Sequence, residues 1–471
     1  AYEGIRYAKK HGAKLIVIDP VRTGLASMAD IWLQIKPGHD GILAMSMINE
    51  IICERSYDKD FVKGWAVGFE KLKETAGAYK AEKIAESIWL DPDMIRSASH
   101  LYAATGPACI IEGNGLDMQL NVFNNTRAVC ILRGLTGNLD KPGGDLIPQP
   151  IPVRNIQLKD RLPQGAKPIT LEYPLFNEFH ETWGNHAQSC VIDAILDEKP
   201  YPVKMLVVQS ANPVVTMTDS NRVIRALENL DFTVVIDLFM TRTAKLADVV
   251  LPATSSFEKA QLNRAFMRNN PIIIQNQVID WIADSWPDWK ITFELARRLG
   301  LDKEFPWQSA EDAINYQLEP AGITVDMLRE NPDGTRIEDL EYEKYKAGGF
   351  VTPSGKVEFY SKRLEEHGYP PVPSLVKRDQ ECVIDIHPDD ALEKKISDGE
   401  TVKVETPRGH IHMKARISDV VHKGSIRIAW GWGEFSPDYN LNNLTDDDRR
   451  SDITGTPSNR SFMCNISKVS G

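Results

Sequence analysis

Residues 234–253, VVIDLFMTRTAKLADVVLPA (Val234 to Ala253), decide the fold, because the same design occurs near the start of the chain in LIVIDPVRTGLASMAD (Leu15 to Asp30). Aligned on the aspartates that close each Val-Ile-Asp run, Asp19 and Asp237, the two stretches match at Thr23/Thr241, Ala26/Ala244, Ala29/Ala247, Asp30/Asp248 and Leu33/Leu251. The chain reads as two related halves.

An apolar run rich in Val and Ile, without alternation, predicts a parallel strand buried on both faces. Its closing aspartate then lies at the carboxyl end of the strand, where open α/β sheets bind ligands. A carboxylate there can accept paired hydrogen bonds from ribose hydroxyls or a guanine edge. For a single copy, helix capping by the acid would be the simpler reading. Two copies at matched spacing favour a duplicated nucleotide site.

The second half sets the pattern. KMLVVQ (Lys204 to Gln209) is a strand, SANP (Ser210 to Pro213) is its carboxyl-end loop, and Asp219 suits the N-cap of a helix whose face is Val223, Ile224, Leu227 and Leu230. The strand ending at Asp237 follows. In the first half, IRYAKKHG matches that helix, with Gly12 near its C-cap. The partner of Asn212 would fall before Ala1, so the repeat predicts an N-terminal portion beyond this chain.

After Asp30, WLQIKPGHDGILAMSMINEIICE predicts a short strand, a Pro37-Gly38 turn and a long helix from about Asp40, which is either its N-cap or a ligand group. Residues 54–105 read as charged helices with Trp65, Phe69 and Leu72 turned inward. PACIIEGNGLDMQLNVFNNTRAVCILRGLTGN repeats strand, glycine loop and helix, with Gly113-Asn114-Gly115 at the strand end, although Met118 breaks the Gly-x-Gly-x-x-Gly fingerprint. Residues 138–200 are rich in proline and turn formers.

Lys259, Arg264, Arg268 and Asp288 return near the second strand edge, as phosphate contacts or as a solvated face. His180 and His186 are six apart rather than four, which excludes the zinc-protease helix. From Cys382 the period changes to two: VKVE, a Pro407-Arg408-Gly409 turn, IHMKARI and SIRIAW predict a hairpin-rich β domain.

The chain has 471 residues, 42% hydrophobic and 26% charged, and a formal net charge of −11. That length suits about three domains. The dispersed negative charge argues against nucleic acid or an anionic membrane as the main partner. No apolar stretch is long enough to span a bilayer. Six cysteines far apart make no Cys-x-x-Cys, so most read as small buried apolar residues and no metal or cluster site is encoded.

An ordered set of motifs resembles one family. It comprises Ile18-Asp19-Pro20 with Arg22, Pro37-Gly38-His39-Asp40, Gly113-Asn114-Gly115, Gly137-Asn138 with Pro142-Gly143-Gly144, and Asn212-Pro213. It continues through Asp237 to Pro252, Glu258-Lys259, Thr352 to Lys356, Asp398-Gly399 and Asn442-Asn443-Leu444-Thr445. Over nearly its whole length the chain is similar to the molybdopterin oxidoreductases of the dimethyl sulfoxide reductase class.

The resemblance implies an α/β fold of two related Rossmann-like parallel-sheet domains followed by a C-terminal, mostly-β barrel domain. The divisions are residues 1–145, a connector at 146–200, residues 201–369 and residues 370–471. It also implies two molybdopterin guanine dinucleotides holding molybdenum or tungsten. Asp19, Arg22 and Asp40 would hold one guanosine, with Gly113 and Asn114 approaching that cofactor. Asn212, Asp237, Lys259 and Asp288 would hold the other, and Asn442 and Arg460 would touch pterin or phosphate.

His39 stands where the family most often has Thr, and the chain is shorter than the family between Tyr369 and Cys382. The metal ligand and the cysteines of a [4Fe-4S] cluster are expected before Ala1. The implied reaction is a two-electron change of a small-molecule substrate, with an iron–sulfur electron-transfer subunit as partner, in a prokaryotic cytoplasm or periplasm. Rival readings are a non-catalytic iron–sulfur scaffold subunit, a non-redox hydratase of the same fold and a plain dinucleotide dehydrogenase.

Overall fold

The computed structural model describes residues 2–117, 119, 121–147, 151–158, 165, 167–173, 175, 188–263, 272–335, 341–373, 384–428, 440–448, 450–451, 456–457 and 462–469. The fold is mixed α/β with small sheets. No described helix is long and apolar enough to cross a membrane.

In the first unit, α1 (Tyr2–Lys10) leads through Gly12, at φ +94°, into β1 (Ile16–Ile18), which pairs in parallel with β2 (Ile31–Leu33). Gly12 stops the helix because its φ is one that L side chains rarely adopt. After the Pro37-Gly38 turn comes α2 (Asp40–Cys53), which is buried along most of its length. The apolar run from Ile42 to Ile52 explains this, since a helix apolar all round has no face to give to water. The two-residue strand β3 (Ala66–Val67) follows, and helices α3 (Pro92–Ala104) and α4 (Val122–Leu135) pack on α2, around fully buried Leu33, Met45, Ile48 and Leu135. Each such side chain contributes about 1.5–3 kcal/mol by its burial.

In the second unit, α5 (Gln188–Leu196) precedes β4 (Met205–Gln209), the one-turn helix α6 (Pro213–Thr216) and α7 (Ser220–Glu228), which Asp219 caps as expected. Then come β5 (Phe232–Asp237) and β6 (Val249–Pro252), giving a parallel sheet in the order β4-β5-β6. Farther on, α8 (Asp288–Arg298) begins at Asp288.

The repeat holds at the level of single bonds. Ile16 pairs with Ile31 as Val234 pairs with Val249. Short 3-10 turns occupy Ala26–Met28 and Ala244–Leu246. Thr23 Oγ1 accepts from Ala26 N at 3.2 Å, and Thr241 Oγ1 from Ala244 N at 3.1 Å. Asp30 Oδ2 accepts from Leu15 N at 2.8 Å, and Asp248 Oδ2 from Thr233 N at 2.7 Å.

Two local expectations fail for physical reasons. The central strand β5 is buried as expected, at 0% exposure for Val235, but Ile18 of β1 is 43% exposed. β5 lies between two strands, whereas β1 pairs with β2 alone among the described residues. The run before Gly113 does not form a strand: side chains satisfy its backbone in place of a neighbouring ladder. Asn138 Oδ1 accepts from Ala108 N at 3.1 Å, the Asp145 carboxylate accepts from Ile110 N at 3.2 Å, and Arg133 Nη2 donates to Ile110 O at 2.9 Å.

The chain then crosses back. Residues Val357–Glu358 pair in parallel with Ala66–Val67, and Phe359 is fully buried in the core of the first unit. Trp65, Phe61 and Phe350 surround Tyr345 there.

At the C-terminal end, Thr401–Thr406, Gly409–Lys414 and Asn465–Lys468 form an antiparallel sheet, and Asp385–Ile386 pairs in parallel with Arg416–Ile417. The expected strand at Ser425 to Trp430 makes an isolated bridge, Ile426 to Ile386, among its described residues. No closed barrel is present among the described residues. Cys53, Cys109 and Cys130 are exposed rather than buried, and Cys382, His180, His186, Arg264 and Arg268 lie outside the described residues.

Candidate functional site

Asp19 directly follows β1 and Asp237 closes β5. Asp19 Oδ1 accepts from Val21 N at 2.8 Å, and its carbonyl accepts from Trp32 Nε1 at 2.9 Å. Asp40 is the first residue of α2, with His39 as N-cap. Burial pushes the Asp40 carboxyl up to about 6, and the nearby charge of Asp19 pushes the same way. Burial raises Asp19 too, against the pull of the Val21 N–H and of Arg427. The fold thus brings two carboxylates together at the N-terminus of a buried helix.

Arg22 is tied to the C-terminal part by its backbone, whose N donates to Val420 O at 3.2 Å. His422 of the same segment stacks on Trp89 with ring centroids 4.0 Å apart. Gly113 and Asn114 are exposed at the start of the one-turn helix Asn114–Asp117. A Cβ at Gly113 or Gly115 would meet nothing within 4 Å. Their loop reaches the Asp40 turn through Gln119: its Nε2 donates to Gly115 O at 3.2 Å, and its Oε1 would lie 3.3 Å from a Cβ on Gly38.

In the second unit the candidate residues fall into two groups, Asn212 past the end of β4 with Asp237 at the end of β5, and Lys259 and Asp288 around the end of β4 at Gln209. Asp237 Oδ1 accepts from Phe239 N at 3.0 Å. Asn212 N-caps α6, and its Oδ1 accepts from Thr243 Oγ1 at 2.7 Å. Lys259 donates to Asp288 Oδ2, while Gln209 Nε2 donates to Asp288 Oδ1 at 3.0 Å. Burial would raise the Asp288 carboxyl, but these two donors outweigh it and hold it below the usual carboxylate range. The trio lines a cavity of about 620 Å³, with Trp289 and Phe305 on its apolar side.

Asn442 is 1% exposed, with its Nδ2 donating to Val215 O at 2.7 Å, so it lies against the Asn212 turn. Arg460 lies outside the described residues. Sequence reasoning missed Gln209 and Thr243. Thr243 lies inside the repeat but opposite Leu25, so the alignment does not mark it, and Gln209 reads from the sequence only as the end of a strand.

No group of three or more His, Cys, Asp or Glu side chains among the described residues is arranged to hold a metal. The site's polar groups are carboxylates, amides, a guanidinium and one ammonium, a set suited to base edges, ribose hydroxyls and phosphate.

Comparison with known proteins agrees with this donor set. The family model Molybdopterin oxidoreductase matches residues 2–298, and Molydopterin dinucleotide binding domain matches residues 366–463. The acetylene hydratase of Syntrophotalea acetylenica is 32% identical over 501 residues, covering 91% of this chain and 68% of that protein. The F420-dependent formate dehydrogenase subunit alpha of Methanocaldococcus jannaschii is 32% identical over 490 residues, covering 94% and 71%. The solved structure of acetylene hydratase from Pelobacter acetylenicus superposes with a TM-score of 0.91 at 29% identity, covering 99% of this chain and 75% of that one. The chain belongs to the molybdopterin oxidoreductase family, a family of redox enzymes, as its ordered motifs implied.

Proposed function

We propose that this chain holds two molybdopterin guanine dinucleotides, one on each copy of the repeat, and serves as the cofactor-binding body of a catalytic subunit acting on a small molecule. The observation that carries the reading is the bond-for-bond equivalence of Asp19 and Asp237.

Asp19 and Asp40 would accept hydrogen bonds from one guanosine, with Arg22 beside them and the open backbone at Gly113 and Asn114 leaving room for close approach. Asn212, Asp237, Lys259 and Asp288 would hold the second, with Gln209 and Lys259 fixing the direction of the Asp288 carboxylate. Asn442 and Arg460 would meet pterin or phosphate. When bound, the pterin-held molybdenum or tungsten supplies two-electron chemistry. The residues of this chain bind, orient and shield.

The domain division at 145, 200 and 369, two Rossmann-like sheets and a closing C-terminal barrel, belongs to the same proposal. So do a [4Fe-4S] cluster and an iron–sulfur partner subunit. Formate, sulfur compounds and oxyanions are the candidate substrates. A second reading, non-redox hydration, has its own support in the likeness to acetylene hydratase in both sequence and structure. Assays of the purified protein with formate and a dye acceptor, with thiosulfate or nitrate and a reduced dye, and with acetylene separate the two readings. Turnover of acetylene alone would replace the redox reading with the hydratase one.

A further inference from the structure

Residues 440–448 and Arg450 meet the second unit through their side chains. Asn440 is 2% exposed. Its Nδ2 donates to Val214 O at 3.2 Å and to Ser220 Oγ at 2.8 Å, while its Oδ1 accepts from Asn442 N at 3.2 Å. Asn442 Nδ2 takes the next carbonyl, that of Val215, at 2.7 Å. Thr445 Oγ1 accepts from Asp219 N at 3.0 Å. One loop therefore grips two consecutive carbonyls of α6 and the residue that caps α7. Because α6 opens at Asn212, the loop also fixes where Asn212 stands.

A ring of charges secures the far end of the loop. Asp447, 3% exposed, accepts from Arg222 Nη1 at 2.9 Å, from Arg450 Nη2 at 2.8 Å and from Ser189. Asp193 of α5 closes the ring, accepting from Arg222 Nη2 at 2.8 Å and from Arg450 Nη2 at 3.0 Å. Arg450 Nε also donates to the Asp447 carbonyl at 2.9 Å. A half-buried charge network of this kind, with buried Asp447 at its centre, holds when its members are paired and is weakened when one is missing.

We propose that residues 440–448 with Arg450 are a latch on the second nucleotide site, with Asn440 and Asp447 as positioning residues that retain the dinucleotide by holding the Asn212 turn. The inference rests on the two-nucleotide reading above. Plain glue between the two parts of the molecule would have no preference for one nucleotide over the other, whereas the latch touches the second site alone.

The test uses the protein produced from its full-length gene with cofactor loaded, and counts guanine nucleotide released per chain along with its rate of loss on gel filtration. Wild type should carry two. Asn440→Ala and Asp447→Asn should each fall toward one, with that nucleotide leaving about tenfold faster, the size of effect expected from losing one buried hydrogen bond. Asp447→Glu should restore part of the retention. Asn440→Ala combined with Asp237→Ala should lose no more than either alone, and combined with Asp19→Ala it should lose both nucleotides.

If Asn440→Ala does not fold, Thr445→Val and Asp447→Asn carry the same comparison. Retention of two nucleotides at the wild-type rate, or simultaneous loss of both, would overturn the latch while leaving the two-nucleotide reading in place. A wild-type protein without nucleotide would overturn that reading and the latch with it.

Discussion

Asp19 and Asp237 occupy the same position in two copies of one structure, each closing a parallel strand and each accepting the N–H two residues ahead, from Val21 at 2.8 Å and from Phe239 at 3.0 Å. Behind each stands a second aspartate, Asp30 or Asp248, bonded to the backbone at the start of the same strand. The two members of each pair hold different backbone, the first the turn after the strand and the second the start of the strand, and in the two-nucleotide reading only the first meets a ligand.

That division is testable in the second unit. Asp237→Ala should leave the unfolding midpoint nearly unchanged and remove one guanine nucleotide of two. Asp248→Ala should keep both nucleotides and cost about 1 kcal/mol of stability through the lost bond to Thr233 N. Nucleotide counting and urea denaturation of both variants check this, and the reverse assignment would contradict it.

Asp40 and Asp30 should give opposite pH dependences. Asp40 is raised from 3.8 to about 6 by burial, so the folded state holds its proton more tightly than the unfolded state does. Its charge therefore opposes folding most fully above pH 6, and the penalty fades as pH falls toward 3.8. In cofactor-free protein, Asp40→Asn should be more stable than wild type at pH 7, with the gain gone by pH 4. Asp30 is lowered to about 2, chiefly by its bond to Lys9. Its contribution is present above pH 3.8 and is lost as pH falls through 2, so Asp30→Asn should lose stability at pH 7. Urea midpoints across this range read both signs.

Asp140 joins two distant parts of the chain. It is fully buried and accepts from Ile147 N at 3.0 Å, Lys344 N at 2.7 Å and Lys344 Nζ at 2.6 Å. Asp140→Ala strands these donors and should cost about 3 kcal/mol. Asp140→Asn, which keeps part of the bonding, should cost less. Chemical denaturation measures both.

Gly68 marks a close crossing of backbones. It has φ +84°, and a Cβ there would lie 2.3 Å from Tyr360 Cβ and 2.7 Å from Tyr360 N. Gly68→Ala should cost about 3 kcal/mol, because neither the backbone angle nor the neighbour can yield cheaply. A loss below 1 kcal/mol, read from the urea midpoint, would show that Val357–Glu358 can shift away from Ala66–Val67.

Much of this was legible in the sequence because it is local and repeated. The Val-Ile-Asp runs, the Asp219 cap and the start of α2 at Asp40 each follow from neighbouring residues, and the duplication made Asp19 and Asp237 recognisable as a pair. The segment from Pro107 to Glu112 misled because its apolar composition does not reveal that Asn138, Arg133 and Asp145 bond its backbone. The Asp140–Lys344 pair and the ring of Asp193, Arg222, Asp447 and Arg450 join polar residues that are far apart in sequence, and no periodicity announces such contacts. Gln209 sat in plain view at a strand end. Its bond to Asp288 required the fold.

The central claim is that each copy of the repeat carries one guanine dinucleotide around a shared metal. It is tested most directly by mass spectrometry of molybdenum and tungsten, together with released guanine nucleotide, on protein produced from its full-length gene. Two guanine nucleotides and one molybdenum or tungsten per chain is the expected result. Metal-free protein without guanine nucleotide, folded and purified from a host that makes the cofactor, would contradict it.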